Sequence, residues 1–296
     1  MWLLYASLSA VAFGTRGVLY HWTSQKPINR NLLLGGVFFT GCLSSLLVGL
    51  TAGERWTASA MVGILMGLWS FLANASMFRG FASGKASIVA ILTALPAVVV
   101  VTLAFLLWGE RLSVWQLAVF LVIVSGILLV RFTGTASLGR LEGAKWGLLA
   151  MIFFGLNDVS GKWSTLLGAD TFPTLFFMFA TGTLLFMASW LREQGVQAEP
   201  RERRGQLERS ERFEGWPLGK TFGVGMLIGF TNVVGMVLIM YAFELGVTGL
   251  VSAVVALNVL VILLYTRMVV KESFSRPELV GMILAFGGVV LLRFLG

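Results

Sequence analysis

Long apolar runs, each ended by a short cluster of Gly, Pro, Ser or charge, fill this chain almost from end to end. A bilayer core about 30 Å thick is crossed by ~20 apolar residues in an α-helix. On that measure the pattern predicts ten transmembrane helices, at about 2–20, 31–51, 58–81, 86–108, 113–132, 144–166, 171–191, 219–243, 248–268 and 277–295. One connection, 192–218, is long and breaks the apolar pattern. Arg201, Arg203, Arg204, Arg209 and Arg212 stand there among Glu199, Glu202, Glu208, Glu211 and Glu214. A segment so poor in apolar side chains reads as a solvated linker.

The pattern also repeats. Residues 58–134 shifted by 162 positions fall on 220–296 without a gap, so that Glu110 meets Glu272, Ser113 meets Ser275, and Gly63 and Gly67 meet Gly225 and Gly229. For the first two helices the best shift is 141, which lays Gly14 on Gly155 and Thr40-Gly41 on Thr181-Gly182. The shifts differ by 21 residues, the extra length of the charged connection. Self-similarity over such a length marks a duplication, here of five helices, with repeats at 1–134 and 135–296. Because five is odd, the second copy enters the membrane upside down. The fold expected is an all-α integral membrane protein of two inverted five-helix repeats, an arrangement that many secondary transporters place around one central site.

Composition narrows the reading further. Only 12% of the 296 residues are charged and mean hydropathy is +0.87, against roughly 25% charged in a soluble domain. One Cys, Cys42, and one His, His21, rule out an internal disulfide and a Cys/His metal cluster. The first apolar run lacks an Ala-x-Ala cleavage pattern and is expected to be retained as a helix. Net charge is +8, which in such a chain points to loops on the positive side of a membrane and not to nucleic acid. Of the 22 Lys and Arg, seventeen lie on the side of the 192–218 connection, three on the other, and Arg16 and Lys162 lie within spans. Both termini are therefore expected outside the cell and the long loop in the cytoplasm.

Charge and amide groups inside the apolar runs are the candidate chemistry, since each is costly in hydrocarbon and faces a cavity or a partner. Asp158 is the deepest acid. It is read either as a ligand for a cationic group or a proton carrier, or as the ion-pair partner of Lys162 one turn along the helix. Arg16 either binds a carboxylate or snorkels to headgroups. Asn157 takes the place of Arg16 in the second repeat, which puts one polar position of each copy at the same depth. Asn232 and Asn258 are read as cavity lining, Asn74 as a helix-to-helix tie, and Trp69 as a platform for an apolar substrate group. Pro96 interrupts the fourth helix as a hinge or bend, and the second copy has Asn258 in its place. Glu110 and Glu272, at turns, are read as caps or latches for neighbouring helix ends.

The run Gly109-Glu110-Arg111-Leu112-Ser113, followed by Gln116 and Gly126-Ile127-Leu128-Leu129, resembles the EamA domain of the drug/metabolite transporter superfamily. The second copy reads Lys271-Glu272-Ser273-Phe274-Ser275, then Gly287-Gly288-Val289-Val290, and Phe13-Gly14 stands where that family usually has Trp-Gly. The resemblance implies ten helices in two repeats, no cofactor, and carriage of a small metabolite such as an amino acid across the plasma membrane, often outward. The partners it implies are a small-molecule substrate and the lipid bilayer, with protons as a coupling candidate, in a monomer or homodimer. Rival readings are a flippase for a lipid-linked sugar, a sugar or drug carrier of the same fold, and a membrane-embedded enzyme. An enzyme would need clustered acids, His or a nucleophile with a base, which the spans do not offer.

Overall fold

The computed structural model describes residues 1–83, 86–131, 143–198, 215–269, 271 and 275–295. Every regular element among them is helical. In order they are α1 (Trp2–Ser24), α2 (Arg30–Thr51), a 3-10 turn (Ala58–Met61) leading into α3 (Val62–Ser83), α4 (Ala86–Leu92), α5 (Pro96–Trp108), α6 (Val114–Arg131), α7 (Ala144–Leu166), α8 (Thr171–Ala198), α9 (Leu218–Leu245), α10 (Thr248–Val255), α11 (Asn258–Met268) and α12 (Arg276–Leu295). Eight stretches are long and apolar enough to cross a membrane, with Ile88–Trp108 and Thr248–Tyr265 each counted as one. Of the remaining two expected spans, α6 is apolar but shorter, and α7 carries Lys145, Asp158 and Lys162. Leu106, Leu184 and Ile283 turn outward at 68–70% exposure. An apolar exterior of that extent suits lipid and would aggregate in water.

Two expectations need correction. The stretch 86–108 breaks at Pro96 as expected, but 248–268, expected as one helix, also breaks near its middle, before Asn258. Helix α8 continues to Ala198, so the connection expected at 192–218 begins as helix. Residues 199–214 and Glu272 lie outside the described residues.

The two breaks fall at equivalent places, with α5 starting at Pro96 and α11 at Asn258, 162 positions on. Both are drawn tight by i to i+3 bonds. Leu95 N–H donates to the Leu92 carbonyl at 3.1 Å, and Leu257 N–H to the Val254 carbonyl at 3.1 Å. At the first break the cause is in the residue, because proline has no N–H to continue the ladder. At the second the cause is packing. The Asn258 carbonyl fills a notch at Gly14 of α1, where an added Cβ would lie 2.9 Å from it, and the Pro96 carbonyl faces Gly155 of α7 in the same manner at 3.3 Å.

This exchange of partners runs through the interior. A Cβ on Gly63 would strike the Thr174 carbonyl of α8, and a Cβ on Gly225 the Leu33 carbonyl of α2. Gly67 approaches Met178 and Thr181, while Gly229 approaches Val37 and Thr40. Gly41 lies under the Phe179 ring and Gly182 under the Phe38 ring. Gly126 of α6 abuts Ala285 of α12, and Gly288 of α12 abuts Ile123 of α6. Each of these pairs becomes the other under the two sequence shifts. Where lipid removes the hydrophobic drive between helices, small residues that admit close backbone approach supply the packing, and here the same small residues act twice.

Candidate functional site

The paired contacts leave a space between the helices. It is a cavity of about 260 Å³ whose wall includes both helix breaks, at Thr93, Ala94 and Pro96 and at Val255, Ala256 and Asn258. Helices α1, α3, α7 and α9 supply most of its polar groups, joined by Thr93 at the first break, Ser252 of α10 and Asn258 of α11.

Two hydrogen bonds at the cavity are related by the repeat. From α1, the Arg16 guanidinium donates to Asn232 Oδ1 of α9. From α3, Ser70 Oγ donates to Asn157 Oδ1 of α7 at 3.0 Å. The shift of 141 carries Arg16 onto Asn157, and the shift of 162 carries Ser70 onto Asn232. Each half thus ties its first helix to the third helix of the other half by one polar bridge. Asn157, Asn232 and Ser70 are all buried, so their bonding capacity is met by protein rather than bulk water. Arg16 also lies over the rings of Phe13, at 4.5 Å, and Tyr20, at 5.7 Å. Cation–π contact with two aromatic faces stabilises a guanidinium away from bulk water.

A third polar contact has no counterpart. Asp158 Oδ2 accepts from Ser252 Oγ of α10 at 2.7 Å, while the shifts place Gly17 and Ala90 at the corresponding positions. Both Asp158 and Arg16 line the cavity, and among the described residues neither is in an ion pair. The space therefore holds one cation and one anion, each bonded only to neutral groups and each open to a ligand.

Of the two readings of Asp158, the ion pair with Lys162 does not form. Lys162 Nζ instead donates to the carbonyls of Phe243, at 2.6 Å, and Gly246, at 3.2 Å, where α9 ends. The last carbonyls of a helix have no partner within it and carry the negative end of its dipole, so they compete for the ammonium. Trp69 also departs from expectation. Its ring stacks on Phe153, 5.8 Å apart and 11° from parallel, and the neighbouring Ser70, not Trp69, reaches the cavity. The expected sites at Arg16, Pro96, Asn157, Asp158, Asn232 and Asn258 all lie on the cavity wall. Glu110 lies away from it, at the start of α10, where its carboxylate accepts from Thr248 N–H at 2.9 Å.

Several wall residues gave little sequence signal. Tyr20 and Ser252 are unexceptional in apolar runs, and Asn74, read as a tie between helices, lines the cavity while its amide donates to the Ser70 carbonyl of its own helix at 2.8 Å. Ser70 had a usable signal, since it aligns with Asn232 under the repeat.

Comparison with known proteins bears on the whole chain. The sequence model of the EamA-like transporter family matches residues 1–132 and 141–294. No curated protein matches the sequence. Among 28 matching chains of solved structure, one crystal structure superposes with a TM-score of 0.76 over 99% of this chain and 96% of that one, at 17% identity.

Proposed function

Since the chain belongs to the EamA-like transporter family, we propose that it is a secondary transporter that carries a small zwitterionic metabolite of the amino-acid type across the plasma membrane by alternating access. The observation that carries the reading is the pair of uncompensated charges, Arg16 and Asp158, on the wall of one cavity. A substrate bearing both a carboxylate and an ammonium satisfies both, and a substrate bearing one leaves a charge unanswered. The volume, about 260 Å³, lies below the ~300–1,000 Å³ of pockets for drug-sized ligands. That favours a metabolite over a drug or a lipid-linked sugar.

In this reading ten spans form two inverted five-helix repeats, 1–134 and 135–296, with the termini outside and the 192–218 connection in the cytoplasm. The breaks at Pro96 and Asn258 support it, because discontinuous helices at the midplane are how inverted-repeat transporters expose backbone groups to a substrate. Arg16 takes the carboxylate, with Asn232 fixing its fork. Asp158 takes the ammonium and exchanges a proton when the substrate leaves, which couples movement to the proton gradient. Export is the direction proposed.

The test is counterflow in proteoliposomes with labelled amino acids, beside analogues that lack either the amine or the carboxylate. A hydrogen bond to a charged group contributes about 1.5–3 kcal/mol, so each deletion should lower apparent affinity roughly 10- to 150-fold. Asp158→Asn should remove the response to a pH gradient, while Trp69→Phe should bind substrate as the wild type does. Equal handling of single-charge analogues and zwitterions would overturn the substrate class. A pH response that survives in Asp158→Asn would remove the proton from the mechanism.

A further inference from the structure

The most extensive contacts between the helices have their counterparts under the repeat, but several do not, α7 with α9 and α5 with α10 among them. Helix α7 packs on α9, whereas the equivalent α1 and α3 make at most isolated contact among the described residues. At the closed end, Gly161 of α7 lies against Met240 and Phe243 of α9, with an added Cβ only 3.3–3.4 Å from their side chains. Lys162 then bridges the Phe243 and Gly246 carbonyls. At the equivalent place in the first half the cavity intervenes, with Tyr20 of α1 and Met77 of α3 on its wall. The residue equivalent to Lys162 is His21, and it lies edge-on to Tyr265 of α11 with ring centroids 6.4 Å apart.

We propose that Lys162 is the latch of one of two gates, and that His21 is the latch of the other. When the gates exchange, Lys162 leaves the end of α9 and His21 moves to the end of α3, onto the carbonyl of Phe81, the counterpart of Phe243. This rests on the alternating-access reading above and adds to it the residues that hold each end shut. The matched contacts, Gly63 with α8, Gly225 with α2 and Gly126 with α12, are the frame that stays in place. The unmatched α7–α9 contact is the part that moves. The reason is geometric. In a chain of two inverted copies, whatever closes one end in one copy can close the opposite end in the other. A carrier needs one end open at a time, so only one closure is made in any one state. The chemistry at the closed end fits a latch, because helix-terminal carbonyls bind a donor without needing a dedicated acid.

The test uses a Cys42→Ser background, so that engineered thiols are the only ones, in membranes and with a flexible bifunctional thiol reagent that spans a lysine side chain. The pair Lys162→Cys with Phe243→Cys should cross-link, and so should His21→Cys with Phe81→Cys, but in a four-cysteine chain the two links should exclude one another. Lys162→Met, in the His21/Phe81 pair, should raise the linked-to-unlinked ratio about tenfold, the loss expected for one hydrogen bond to a charged group. Lys162→Arg, which keeps a donor there, should return the yield towards that of the parent. A His21–Phe81 pair that stays unlinked in Lys162→Met, while the Lys162–Phe243 pair links in its own background, overturns the proposal, as do two links formed freely in the same molecule. None of these readouts needs a known substrate. Exclusive links in a protein that carries nothing in counterflow would count against the transport reading and leave the exchanging latches standing.

Discussion

The two repeat-related bridges, Ser70–Asn157 and Arg16–Asn232, should differ in energy because only one of them carries a charge. Their surroundings are otherwise comparable, since Ser70 and Asn157 are each 7% exposed, Asn232 is 2% exposed, and both bridges join a first helix to a third. Neutral hydrogen bonds between helices in a membrane average ~0.6 kcal/mol in double-mutant cycles. A bond to a charged partner contributes about 1.5–3 kcal/mol, and the cavity allows water to replace part of either, which pulls both numbers to their lower ends. The perturbations are Ser70→Ala, Asn157→Ala and their double mutant, beside Arg16→Met, Asn232→Ala and theirs. Reversible unfolding of the purified protein in mixed micelles gives the two coupling energies, and a cycle cancels effects that each substitution has on its own. The Arg16–Asn232 coupling should exceed the Ser70–Asn157 coupling by about 1 kcal/mol, roughly fivefold in the folded ratio. A Ser70–Asn157 coupling as large as that of Arg16–Asn232, or no coupling in either cycle, would refute the reasoning.

Gly67→Leu should lower the melting temperature of the purified protein, because its Cβ would run into the Met178 carbonyl and Thr181 and overpacking costs about 1–3 kcal/mol. Gly287→Leu, with open space at its Cβ, should stay within about 0.5 kcal/mol of wild type. Acid sensitivity should trace in part to Asp170, whose carboxylate accepts from Arg55 N–H at 2.7 Å and from the Arg55 guanidinium at 3.3 Å; these bonds, the backbone one foremost, hold it below the usual aspartate range. A depressed acid contributes stability above its unfolded pKa of ~3.9 and loses it as pH falls through the folded value, so a plot of melting temperature against pH should be flatter below about pH 4 in Asp170→Asn, and an unchanged acid limb would reject that assignment.

What the residues determine by themselves is periodic and local. Apolar runs of bilayer length mark the helices, since a helix satisfies its backbone groups within one segment in lipid. A duplicated pattern of glycines marks the repeat, and Pro96 marks a break, because a missing N–H is a property of one residue. That Arg16, Asn157, Asp158 and Asn232 face a cavity was legible for the same reason, as charge and amide are rare where hydrocarbon is expected. Direction and partnership were not legible. Lys162 is one turn from Asp158 in sequence yet serves the end of α9, because the choice between an acid on its own helix and carbonyls on another is made by packing. Trp69 and Ser70 are neighbours, and only their places on α3 decide which reaches the cavity. The break before Asn258 has no proline to announce it and is held by the glycine notch of α1. The asymmetry between a packed α7–α9 and a parted α1–α3 is likewise a fact of tertiary structure, since a duplicated pattern puts equivalent positions in both halves and only the assembled chain decides which of them meet.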